Sequence, residues 1–111
     1  MRFVYIAGPF TSDPLRNVAK AIDIADKVRN AGDVPFIPHL NWFWGMRHPH
    51  DYDYWMDYDR EWMLRCDIIV RIPGRSPGAD IEVAEAHERH IPVFTVHEYL
   101  EMVRVCKGRK K

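Results

Sequence analysis

Cysteine is nearly absent. Cys66 and Cys106 are the only two in 111 residues, too few for the disulfide scaffold of a small secreted domain, so a reducing, cytoplasmic compartment is expected. Net charge is absent as well: 16 Lys and Arg balance 16 Asp and Glu, which argues against a protein that coats a nucleic acid polymer. No apolar run approaches the ~18–20 residues that cross a bilayer, and the opening MRFVYIAGPF is broken by Gly8-Pro9 too early for a secretory signal. No membrane partner is therefore expected. What is present is a globular composition, 47% hydrophobic and 29% charged, which excludes a wholly disordered chain. The length implies one domain with one modest core, so a second copy of the chain is expected to help complete an active site.

Arg2–Ala7 (RFVYIA) reads as a buried strand of β-branched and aromatic residues, ended by Gly8-Pro9. Asp13-Pro14 offers an N-cap with proline at the first helical position. Ala19, Ile22, Ala25 and Val28, widened by Ile24, then predict the apolar face of a helix to about Asn30, stopped at Ala31-Gly32. Val34–Ile37 reads as a second short strand, which Pro35 and Pro38 place at an edge or strand end. Residues 39–54 are expected to be irregular, followed by a helix over about Asp53–Arg65 with Trp55, Asp59 and Trp62 three and four apart. Asp67–Ile72 (DIIVRI) is a third strand and Pro73–Pro77 a loop. Ala79–His90 is a helix with Ile81, Ala84 and the stem of Glu88 on one face. Ile91–Val96 is a fourth strand and His97–Val105 a last helix. Residues 1–106 thus form a single domain, and Lys107–Lys111 (KGRKK) is expected to be a disordered basic tail.

The alternation of strands and helices predicts an α/β fold, a four-stranded parallel sheet with helices on both faces. The expected strand order is 2-1-3-4. Ligands of such sheets sit past the carboxyl ends of the strands where the winding reverses, here between strands one and three. Two loops therefore matter, Gly8–Asp13 and Pro73–Asp80.

The first loop, Gly8-Pro9-Phe10-Thr11-Ser12, follows a strand and opens a helix. Gly8 permits close backbone approach, Thr11 and Ser12 supply hydroxyls, and the helix N-terminus supplies free N–H groups for a phosphate or sugar hydroxyl. It is neither a Walker loop nor a GxGxxG fingerprint, and a capped helix start without a ligand would read the same way. In the second loop, Ser76 and the amides near Gly78 suit an anion, and Glu82 is expected in the first turn of the following helix, where the helix field favours the ionised carboxylate. An ionised carboxylate is a nucleophile at a sugar carbon; simple complementation of the helix dipole by Asp80, Glu82 and Glu85 is the alternative. Asp59 is a second carboxyl with which acid and nucleophile roles divide, or else a solvated helix residue. Tyr5, inside the first strand, needs a hydrogen-bond partner if buried; a carboxylate at the crevice would serve, and plain core packing is the other reading.

Residues 42–62 hold eight of the 14 aromatics, including all four tryptophans. His39, Trp42 and their neighbours are placed to stack on a nucleobase, as in single-strand binders, or to form a dimer interface or core. His48, His50 and Asp51 match no strong zinc spacing, and His87-Glu88-Arg89-His90 is not HExxH. No metal and no cofactor are expected.

Three segments carry a family resemblance. Val4-Tyr5-Ile6-Ala7-Gly8-Pro9-Phe10, the run from Asp59 to Val70 (DREWMLRCDIIV), and the run from Ser76 to Ala86 (SPGADIEVAEA) with Ile91-Pro92-Val93 together resemble the nucleoside 2-deoxyribosyltransferase superfamily. The Ser76-to-Glu82 spacing is similar to that of its branch that hydrolyses 2'-deoxynucleoside 5'-monophosphates. The resemblance implies a flavodoxin-like three-layer sandwich and cleavage of an N-glycosidic bond. By the same resemblance Glu82 would attack the anomeric carbon, Tyr5 would position Glu82, and Asp59 would bind the sugar or assist proton transfer to the leaving base. Ser76 with Gly8, Pro9, Phe10, Thr11, Ser12 and Gly78 would hold a 5'-phosphate. The transferases carry an acidic residue where this chain has Ser76, and they lend a C-terminal Asn-containing segment to a neighbouring subunit, for which Val96–Lys111 offers no counterpart. The expected activity is therefore hydrolysis of a 2'-deoxynucleoside 5'-monophosphate or close analogue. Base exchange by a transferase and a catalytically inactive nucleotide-binding module are the alternatives. The expected partners are a small nucleotide or nucleoside and, given the small core and large aromatic segment, a second copy in a homodimer or larger assembly.

Overall fold

A computed structural model describes residues 1–109. Its four strands are β1 (Phe3–Ala7), β2 (Val34–Phe36), β3 (Ile68–Arg71) and β4 (Val93–Thr95). They form one parallel sheet in the order β2-β1-β3-β4, as expected. The central strands β1 and β3 are buried on both faces, which is why their sequences run apolar without alternation. Pro35 lies in β2, at the sheet edge, where a missing N–H is tolerated.

Helices α1 (Pro14–Asn30) and α5 (Val96–Arg109) pack on one face, around Val4, Ile6, Val28, Val70, Tyr99 and Val103. Helices α3 (Tyr52–Met63) and α4 (Pro77–Glu88) cover the other, around Tyr5, Ala7, Met63, Ile69, Ala79 and Ala86. The result is a three-layer α/β sandwich. Asp13 caps α1 and Pro14 opens it, as the sequence implies. Helix α1 nevertheless buries Val18, Ala21, Ala25 and Val28, while Ala19 and Ile22 face outward. The expected face was therefore displaced, because Val18 and Ala21 extend the Ala25–Val28 stripe upstream at three- and four-residue steps.

The span expected to be irregular is mostly helical. A 3-10 turn over Pro38–Leu40 leads into α2 (Asn41–Arg47), and α3 starts at Tyr52, capped by Asp51. Helix α2 has no side-chain N-cap and buries no residue, so neither signal that marks a helix in sequence is present. On α4, the buried face is Ala79, Glu82 and Ala86 rather than Ile81 and Ala84, which are exposed. Helix α5 runs on to Arg109, past Val105, so the expected disordered tail is helical at Lys107–Arg109. The rest of that expectation, at residues 110–111, lies outside the described residues. Among the described residues no helix is long and apolar enough to cross a membrane.

Two glycines set the geometry at the carboxyl end of the sheet. A Cβ on Gly8 would lie 2.8 Å from Ile72 Cβ, so β1 and β3 approach as closely as they do only with glycine there. Gly74 has φ 121°, and its Cα faces the Pro9 ring closely enough that a Cβ would lie 2.8 Å from Pro9 Cγ. The loops that follow β1 and β3 therefore lean on each other.

Candidate active site

Tyr5 is fully buried in the middle of β1. An unpartnered phenol there would cost about 1–3 kcal/mol. Its hydroxyl donates to Glu82 Oε2 at 2.5 Å, across from β1 to α4. Burial, and next the negative charges of Glu82 and Asp59, push the Tyr5 hydroxyl well above its ordinary range, so it stays a proton donor at every physiological pH. Behind it, the Tyr5 ring stacks on Phe36 at 5.7 Å and Phe36 stacks on Trp62 at 5.0 Å.

Glu82 is 8% exposed and lines a cleft of about 640 Å³ at the carboxyl end of β1 and β3. The expectation that it lies in the first turn of its helix is corrected. Ser76 is the N-cap, its Oγ accepting from Ala79 N at 3.1 Å, and Pro77 opens the helix. The first-turn acid is Asp80, and Glu82 sits one turn deeper, beyond the free N–H groups. Burial rather than the helix field therefore governs it: its carboxyl is pushed up to about 7, with the Tyr5 hydrogen bond and the Arg71 charge opposing.

Asp59, from α3, lines the same cleft. Burial first, and then the Glu82 charge, raise it to about 7, against a hydrogen bond from Asn41 Nδ2 to Asp59 Oδ1 at 2.7 Å. Burial thus pushes both carboxyls toward neutrality, and the Glu82 charge adds to the rise at Asp59. Glu82 receives the Tyr5 proton and faces the Arg71 cation, whereas Asp59 has only a neutral amide.

Of the residues singled out in sequence, Gly8, Phe10, Thr11, Ser12, His39, Trp42, Ser76 and Gly78 also line this cleft. Pro9 does not. Its carbonyl instead takes a hydrogen bond from His39 Nε2 at 3.2 Å, and its ring meets Gly74. His39 is buried, burial holds its imidazole below the usual range, and its Nδ1 has no partner. Its neutral ring thus carries the proton on Nε2. Ser12 Oγ and the Phe10 carbonyl both accept from Asn17 Nδ2 at 3.1 Å, which fixes the first loop onto α1.

Several lining residues were not singled out in sequence: Asn41, Tyr52, Trp55, Met56 and Arg75. Arg75 makes no ion pair among the described residues and stands beside the α4 N-cap. By contrast Arg71 is spent, donating to Asp80 Oδ1 and the Gly74 carbonyl at 3.0 Å each. The aromatic segment divides. Trp42 faces the cleft. Trp44, His50, Tyr54, Trp55 and Tyr58 pack mainly on one another and join α2 to α3. Cys66 is half-buried, and burial pushes its thiol up to about 11, so it supplies no thiolate.

This is the flavodoxin-like fold of the nucleoside 2-deoxyribosyltransferases, with a carboxylate pair at the topological switch point. The structure is similar to that of a 2-deoxyribosyltransferase from Bacillus psychrosaccharolyticus, with 23% identity over 84% of this chain and 70% of that one and a TM-score of 0.60. It is also similar to a 2-desoxiribosyltransferase from Leishmania mexicana, with 21% identity over 86% of this chain and 63% of that one and a TM-score of 0.67. No curated protein matches the chain. The chain belongs to the family of the domain of unknown function DUF7768, whose model matches residues 2–96.

Proposed function

We propose that the protein hydrolyses the N-glycosidic bond of a 2'-deoxynucleoside 5'-monophosphate or a close analogue. The observation that carries this reading is the 2.5 Å hydrogen bond from buried Tyr5 to Glu82 on the floor of a cleft that also holds Asp59. In this reading Glu82, which accepts from Tyr5 and feels the Arg71 charge, is the ionised member and Asp59 the protonated one, the division of labour that glycosidic cleavage requires.

In the proposed reaction a Glu82 oxygen attacks C1' of the pentose. The C1'–N bond breaks, its electron pair goes to the base, and the Asp59 proton neutralises the base as it leaves. Tyr5 orients Glu82 and disperses its charge when the ester later breaks. Water then attacks C1', gives its proton to the Asp59 carboxylate, and frees Glu82. Both carboxyls end as they began.

The residues that would hold the 5'-phosphate are Ser76, Thr11, Ser12 and Arg75, all of which line the cleft, the last without an ion pair among the described residues. The Ser76 oxygen is occupied as an N-cap acceptor, which leaves its hydroxyl proton to donate. Where the transferases carry an acid, Ser76 adds no negative charge, which favours a phosphorylated substrate over a bare nucleoside. Trp42 and Phe10 provide apolar faces for the base. Base exchange remains the second reading, favoured by the two structural neighbours, both 2-deoxyribosyltransferases.

The test is a screen of nucleosides and 5'-monophosphates for released base, with and without an acceptor base. Release from 2'-deoxynucleoside monophosphates, abolished in Glu82→Ala, is expected. A 2-fluoro-substituted substrate should leave a covalent adduct on Glu82. Exchange exceeding release would replace hydrolase by transferase, and tight nucleotide binding without either would leave a binding module.

A further inference from the structure

Asn41 is the first residue of α2, yet its side chain does not cap that helix. Its amide is spent on Asp59 Oδ1, at 2.7 Å. This leaves Asp59 Oδ2 without a protein partner among the described residues. That oxygen is not sealed from solvent, since His39 Nδ1 is the one buried side-chain polar atom found unpartnered there. As Asp59 lines the cleft, Oδ2 is the oxygen a bound molecule meets. The turn that carries Asn41 is anchored at its other end, because His39 is buried and donates from Nε2 to the Pro9 carbonyl at 3.2 Å. The segment 38–41 thus ties the loop after β1 to the carboxyl on α3.

We infer that Asn41 is a positioning residue for Asp59: its amide holds one carboxyl oxygen so that the other, with its proton, is presented to the cleft. The inference rests on the reading of Asp59 as the acid, but its first test does not. The amide donor also favours the ionised carboxylate, so it keeps burial and the Glu82 charge from driving Asp59 further up. Asn41 therefore sets both the direction of the proton and the pH at which it leaves.

The experiment is a carboxyl-carbon NMR titration of protein labelled at aspartate, with Asp59 assigned from Asp59→Asn. Asn41→Leu keeps the shape and removes the donor, and Asn41→Ala removes both. In each the Asp59 midpoint should move to higher pH, while Leu40→Ala, at an exposed neighbour, should leave it in place. An Asp59 midpoint unchanged in Asn41→Leu overturns the inference whatever the enzyme turns over. A midpoint that moves in a protein that releases no base upholds the brace and defeats the proposed hydrolysis instead. Where base is released, kcat should fall about tenfold or more in Asn41→Leu, with KM changed by less than about threefold. A rise in KM at constant kcat would overturn the positioning role in favour of simple substrate contact.

Discussion

Tyr5 and Glu82 lie 77 residues apart in the chain and 2.5 Å apart in the fold, one in the central strand and the other in the second turn of α4. The phenol cannot lose its proton at ordinary pH and the carboxylate is its sole partner among the described residues, so the bond has a fixed direction. Removing it in Tyr5→Phe leaves the ring stack on Phe36 in place but takes from Glu82 an interaction that favours its charged form. The acidic limb of the kcat/KM profile should therefore move to higher pH, and kcat should fall on the order of 10²-fold. Steady-state rates across pH check both.

The wild-type profile should be a bell centred near pH 7. Glu82 and Asp59 are each pushed up to about 7, and only the singly protonated pair has both a nucleophile and an acid. Activity should fall about tenfold per pH unit on either side. A flat profile between pH 5 and 9, with chemistry shown to be rate-limiting, would contradict the assignment.

The same burial makes the site a liability for stability. Asp59 has a carboxyl pKa of 3.8 when unfolded and about 7 when folded. Below the lower value both states hold the proton. Between the two the unfolded chain releases it first, so stability is lost as pH rises through the folded value. Asp59→Asn removes that loss. It should be more stable than wild type at pH 8 by roughly 1–3 kcal/mol, seen as a higher melting temperature, and show no advantage at pH 4. Thermal melts at the two pH values check this.

Arg75→Ala should discriminate between substrates. The guanidinium makes no ion pair among the described residues and borders the cleft beside Ser76. Loss of a charge-assisted contact to a 5'-phosphate should raise KM for a monophosphate by about tenfold or more. The corresponding nucleoside should be affected far less. Parallel kinetics on the two substrates check it.

Much of this arrangement was legible before any coordinates. The parallel sheet follows from four short apolar runs separated by helical segments, the central two of which do not alternate because both their faces are buried; the strand order was chosen among the few that right-handed crossovers allow, and it matches. Tyr5, Asp59 and Glu82 stood out singly, each with a plain structural alternative, and only the family resemblance grouped them. The depth of Glu82 was misjudged because the helix was begun at Ala79, although Ser76-Pro77 is itself an N-cap followed by a first-turn proline. That shift turns the dominant influence on the carboxyl from helix dipole to burial. Helix α2 was missed because it has no capping side chain and no buried stripe; it is held through aromatic contacts with α3. Asn41 was missed with it, and Arg75 because a lone loop arginine carries no local signal.

The contact between Gly74 and Pro9 has a consequence for substitution at position 74. The loops after β1 and β3 meet where a proline ring faces a residue with no side chain. A bulkier residue at position 74 would push these two loops apart, while Tyr5 is carried on β1, Asp59 on α3 and Glu82 on α4. The spacing of the two loops is thus set by residues other than the three that carry the proposed chemistry.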